Sequence, residues 1–110
     1  ANPRSGESPH WFFGDGMVHG VRLEAGQAKW YRNRWVRTTK FAKNADALDP
    51  SIMMDPTASA ANTHIVPHAG RLLALEEGHL PYLLTPELET IGCENYGGKL
   101  RTAFTAHPKV

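Results

Sequence analysis

An all-β fold is what this sequence predicts, on three observations. Apolar, β-branched and aromatic residues gather in short runs, Gly- and Pro-containing turn signals separate those runs, and no stretch holds the 3.6-residue period of a long amphipathic helix. The first ten residues, rich in Pro, Ser, Gly and Asn, read as irregular approach chain, with order beginning at Trp11. Gly14-Asp15-Gly16 is a tight-turn signal. It leads into a half-buried strand from Met17 to Leu23, with Met17, His19, Val21 and Leu23 on its apolar face and Val18, Gly20 and Arg22 on the other. Glu24-Ala25-Gly26-Gln27 is a short loop with a Gly available for positive φ. Residues 28–38 follow with Trp30, Tyr31, Trp35 and Val36, types that favour sheet, so the pair reads as a β-hairpin.

Residues 44–61, mostly Asp, Ala, Pro and Ser around Ile52-Met53-Met54, fit a long connection. A second hairpin is expected from Thr63 to His68 and from Arg71 to Leu75, turning at Ala69-Gly70. Leu80 to Leu84 reads as a third strand, placed at a sheet edge because Pro81 lacks a donor. Thr85-Pro86-Glu87 opens a turn, and Leu100 to Ala106 reads as a last strand. Sandwich, barrel and propeller remain open on pattern alone.

At 110 residues the chain holds one core at most, and Leu, Ile, Val and Phe make up only 22 of them, so that core is thin. Twelve basic and eleven acidic side chains give a formal charge of +1, which steers nothing toward a polyanion. The lone Cys93 cannot form an internal disulfide, and a reduced, cytoplasmic setting is the expectation. No apolar run approaches the ~20 residues that span a bilayer. Both termini read as truncations, so the chain is expected to be a fragment.

Six histidines invite a metal reading. His64 and His68 are four apart, but on a strand they would lie roughly 13 Å apart and could not share an ion. His10, His64, His68 and His79 therefore read as scattered polar residues. His19, on the apolar face of its strand, reads as a hydrogen-bonded core histidine. Lys29, Arg32, Arg34, Arg37 and Lys40, interleaved with Trp30, Tyr31 and Trp35, fall on both strand faces, whereas a nucleic-acid groove needs its charges on one; no nucleic-acid partner is expected. Gly14-Asp15-Gly16 alone is a turn more often than a phosphate cradle. His107 differs, because Pro108 drives it into extended geometry and limits where its imidazole can point.

Four motifs, in order, carry a resemblance: Trp11-Phe12-Phe13-Gly14-Asp15-Gly16-Met17-Val18-His19; Asn33-Arg34-Trp35-Val36-Arg37-Thr38; Asn62-Thr63-His64 with residues 70–78; and Phe104-Thr105-Ala106-His107-Pro108-Lys109. Together they resemble the N-terminal part of carotenoid cleavage oxygenases, across almost all of the chain apart from 44–61. The resemblance implies a seven-bladed β-propeller whose ferrous iron, Fe(2+), is held by four histidines. It passes the role of first iron ligand to His107. It makes Glu77 the carboxylate that orients another iron-ligating His, outside this chain. A carboxylate accepting the distal N–H fixes an imidazole's tautomer and raises its basicity. Two residues depart from the family pattern. Phe13 stands where Asp is usual, and Glu76 stands where an aromatic residue is common, a type that often faces the substrate passage.

The reading that follows is a portion, residues 1–110, of a single β-propeller oxygenase domain, about two blades of it. The full protein would be an oxidoreductase, a non-haem iron dioxygenase cleaving a conjugated C=C bond of a carotenoid, apocarotenoid or stilbene to two carbonyl products. Its partners would be that hydrophobic substrate and dioxygen. Peripheral membrane contact is compatible with lipid-soluble substrates, though no surface patch for it is legible. The chain alone, with one of four imidazoles, is expected to be inactive. The rival reading is a non-catalytic β-propeller interaction module in which the motifs serve as structural turns.

Overall fold

The computed structural model describes residues 10–109, and the approach chain before His10 lies outside them. Two antiparallel sheets result. Strands β1 (Met17–Glu24) and β2 (Gln27–Trp35) form a hairpin. Two single-turn helices, α1 (Thr39–Lys43) and α2 (Pro50–Met53), lie in the connection that follows. Strands β3 (His64–His68), β4 (Arg71–Leu75), β5 (Tyr82–Leu84) and β6 (Thr90–Cys93) form a meander in sequence order.

Both expected hairpins form, and they close alike. Glu24 faces Gln27 and His68 faces Arg71, leaving two-residue loops. Their central residues are Ala25 (φ 49°) with Gly26 (φ 75°), and Ala69 (φ 49°) with Gly70 (φ 75°). Positive φ at both positions gives the turn whose twist matches that of the strands.

Three expectations about the strands need correction. The third strand is not at an edge: β5 lies between β4 and β6. Pro81 precedes Tyr82, so its missing donor falls outside the β4 ladder, while its carbonyl accepts from Glu94 N at 2.8 Å. Leu100 to Ala106 is not a strand. Its backbone bonds go to loop atoms, Phe104 N donating to His79 O at 3.1 Å and Leu100 N to Asn95 O at 3.0 Å. His19 is not a core residue. The buried face of β1 is that of Val18, and His19 is exposed, 2.6 Å from the Tyr31 hydroxyl. Strand β6 was not foreseen. It follows a turn in which buried Leu88 takes φ 71°, held by Leu88 N donating to Thr85 O at 2.9 Å.

The four-stranded sheet is buried on both faces. Residues opposite one another in an antiparallel pair share a face, so Leu72, Ala74, Tyr82 and Leu84 point one way and Val66, Leu73 and Leu75 the other. The first set packs with Val18, Val36, Ala61 and Leu88, and the second with Ala106 and the half-buried Phe104. The carboxy-terminal segment thus covers the sheet without joining its ladder.

Gly14-Asp15-Gly16, expected to be a tight turn, is instead a bend at extended Gly14 (φ −66°, ψ 149°) leading into a packing segment. A Cβ on Gly16 would stand 2.0 Å from Ala61 O, so only glycine admits the bond from Gly16 N to Ala60 O at 2.8 Å. Asp15 accepts from Lys40 Nζ at 2.8 Å, both side chains about nine-tenths buried or more. Lys40, grouped by sequence with the surface cations, is therefore an interior residue. Arg32 lies 4.6 Å over the Trp30 ring, and Arg34 pairs with Glu89 at 3.2 Å.

Candidate metal-ligand site

The alternation that builds β4 also separates two adjacent carboxylates. Leu73 and Leu75 face the carboxy-terminal segment, and Glu77, two residues on, reaches the same side. Glu76 goes to the other side, where it meets the connection preceding β3. Each carboxylate takes its own imidazole. Glu77 Oε1 lies 2.6 Å from His107 Nδ1, and Glu76 Oε2 lies 2.6 Å from His79 Nδ1. The Glu76 side is tied further by Ser59 Oγ, which donates to Oε2 at 3.4 Å, by Gly78 N, and by His79 Nε2, which donates to Ile52 O at 3.2 Å. Glu76 is thus a half-buried acid paired with a histidine.

The segment bearing His107 is held at several points although it lies in no strand. Ala106 is fully buried against Val66, Leu73 and Leu75. His107 N donates to Thr105 Oγ1 at 3.1 Å, a local turn. His64 Nδ1 lies 2.9 Å from Ala106 O, and a carbonyl only accepts, so that nitrogen carries the proton. Asn62, in the same motif, donates to Phe12 O and Gly14 O, both at 2.7 Å. Asn62-Thr63-His64 therefore joins the Gly14 bend to the segment bearing His107. His19 and His64 both line a groove of ≈ 190 Å³ between β1 and β3.

The His107 bond, together with the Ala106 amide, holds the Glu77 carboxyl below its ordinary value of 4.5. Both side chains are more than half exposed, 70% and 58%. An exposed pair of this kind adds little stability, so its consequence is orientation. With Nδ1–H given to the carboxylate, the His107 Nε2 lone pair is left for a metal, the arrangement usual in metal-bound histidines. Imidazole suits iron among other first-row metals. Among the described residues no three His, Cys, Asp or Glu side chains gather as a metal-holding group, so His107 stands as a single donor. Glu77 was expected to serve an imidazole outside the chain. The one it meets here is His107, and a carboxylate has lone pairs for a second donor. Burial, with Glu94 and Asp55 nearby, pushes the Cys93 thiol up, which makes it a poor nucleophile.

A four-stranded antiparallel meander is the unit of a propeller blade, and this one follows a hairpin and meets His107 through Glu77. Residues 2–110 match the family described as retinal pigment epithelial membrane protein. A carotenoid cleavage oxygenase of Mycobacterium tuberculosis is 47% identical over 107 residues, covering 91% of this chain and 21% of its own. The crystal structure of Pseudomonas brassicacearum lignostilbene dioxygenase superposes with a TM-score of 0.75 at 32% identity, over 97% of this chain and 25% of that one. Cobalt-substituted Synechocystis apocarotenoid oxygenase gives a TM-score of 0.72 at 30% identity, over 91% and 25%. The chain belongs to the carotenoid cleavage oxygenase family, and its fold is a portion of that family's β-propeller. It spans about a fifth to a quarter of the length of these relatives.

Proposed function

We propose that residues 1–110 form part of a single β-propeller domain of a non-haem iron(II) dioxygenase that cleaves a conjugated C=C bond into two carbonyl products. The substrate class is carotenoid, apocarotenoid or stilbene, which are the substrates named among its relatives. The observation that carries the reading is the Glu77–His107 pair, 2.6 Å apart, in a chain that matches the family from residue 2 to residue 110. In this reading His107 is an iron ligand through Nε2, and Glu77 keeps a ligating imidazole in the right tautomer and orientation. Bound ferrous iron would supply the activation of dioxygen, as in other oxygenases that use non-haem metal. The chain's own residues bind and orient. Pro108 and the Thr105 hydroxyl limit the backbone of His107, and the buried Ala106 anchors it to the sheet.

The test uses a polypeptide of the relatives' length that contains this chain. It should hold about one iron per chain and release two carbonyl products from at least one of the three substrate classes, read by metal analysis and chromatography. His107→Ala should lower both iron content and turnover by at least about a hundredfold, because a ligand is lost outright. The 110-residue chain alone, offering one of the imidazoles, should bind iron only weakly in titration. A His107→Ala protein that keeps its iron and its turnover, or a 110-residue chain that binds iron tightly one to one, would contradict the proposal.

A further inference from the structure

We infer that His64 is a positioning residue for His107, fixing the peptide unit from which the candidate ligand projects; the inference rests on the iron reading above. Residues 100–109 have no ladder to hold them, so the geometry of His107 depends on individual bonds. The peptide unit joining Ala106 to His107 has two polar atoms, and both are engaged. Its oxygen accepts from His64 Nδ1 at 2.9 Å, and its N–H donates to Thr105 Oγ1 at 3.1 Å. Holding both ends of one peptide unit prevents its rotation about the flanking single bonds, which would swing the next side chain. The Thr105 bond is local and moves with the segment. The His64 bond ties the carbonyl of this unit to β3, beside the packing of Ala106 on the sheet and the bond from the Ala106 amide to Glu77.

His64 can do this because of register. It is the first residue of β3 and sits opposite Leu75, on the face that Ala106 covers. Two residues beyond Leu75 is Glu77, which takes the His107 ring. One hairpin thus grips His107 twice, by its backbone through His64 and by its imidazole through Glu77. The two imidazoles lie with ring centroids 6.3 Å apart, near each other but each with its own Nδ1 partner.

The experiment compares His64→Leu and His64→Asn in the relatives' length polypeptide. Leucine fills space but donates nothing, whereas the asparagine amide places an N–H close to the position of Nδ1. Two readouts are taken: amide hydrogen exchange over residues 104–109 in metal-free protein, and the iron dissociation constant. The expected result is at least tenfold faster exchange and at least tenfold weaker iron binding for His64→Leu, with both restored to within about threefold by His64→Asn. Exchange or iron affinity unchanged in His64→Leu would overturn the inference, as would equal losses in both variants. Wild-type protein that takes no iron would instead sink the iron reading, and the exchange comparison would still decide the role of His64.

Discussion

His107 and Glu77 are both exposed in this chain, so the bond between them acts through direction and protonation rather than through stability. Because the folded carboxyl of Glu77 titrates below its ordinary 4.5, the bond is fully present above that value and is lost as pH falls through the depressed one. Removing its main cause should undo the depression. In carboxyl carbon NMR, His107→Ala is expected to return Glu77 toward 4.5, and an unchanged titration would show that other groups hold it down. At this scale the sequence was partly legible. Pro108 marked His107 as restricted but its proposed role came from the resemblance of the Thr105–Pro108 motif, and nothing in spacing alone distinguished His64 from His68, since both alternate on one strand face and only the three-dimensional path of residues 104–107 gives one of them a carbonyl. Lys40 was misread for a related reason: its carboxylate partner lies 25 positions earlier.

Turns and caps decide the elements. The two hairpins were readable because Ala-Gly between strand-forming runs admits a two-residue loop, yet alanine is a poor occupant of the first left-handed position. Ala25→Asn should therefore stabilise the β1–β2 hairpin by roughly 0.5–1 kcal/mol, seen as a higher denaturant midpoint with an unchanged slope. The Asp15–Lys40 pair ties residues 14–16 to α1, and Lys40→Met should destabilise by about 3–5 kcal/mol because it takes the ammonium out of a buried ion pair. The misplaced edge at β5 and the unforeseen β6 share one cause. Each is a strand of three or four residues, beside a proline or containing a glycine, and tertiary pairing overrides such weak local signals. Residues 100–106 fail the other way, because their apolar residues pack on a sheet face instead of pairing at an edge.

For the molecule as a whole, alternation and turns give the all-β class but not the architecture, since a four-stranded meander is common to several β folds. The propeller became legible only through four motifs in a shared order, which is information about relatives rather than about periodicity. The radius of gyration, 14.2 Å, exceeds the ~13 Å of a compact 100-residue domain. The β1–β2 hairpin leaves Val21, Leu23 and Tyr31 all more than half exposed. The chain following β4 and the carboxy-terminal segment bring Glu77 and His107 together across 30 positions of sequence. Iron ligation by this imidazole underlies the proposed function. Anomalous diffraction at the iron absorption edge, on crystals of the relatives' length polypeptide, tests it most directly. A peak is expected within bonding distance of His107 Nε2; an iron peak elsewhere, with that nitrogen turned to solvent, would refute ligation by His107.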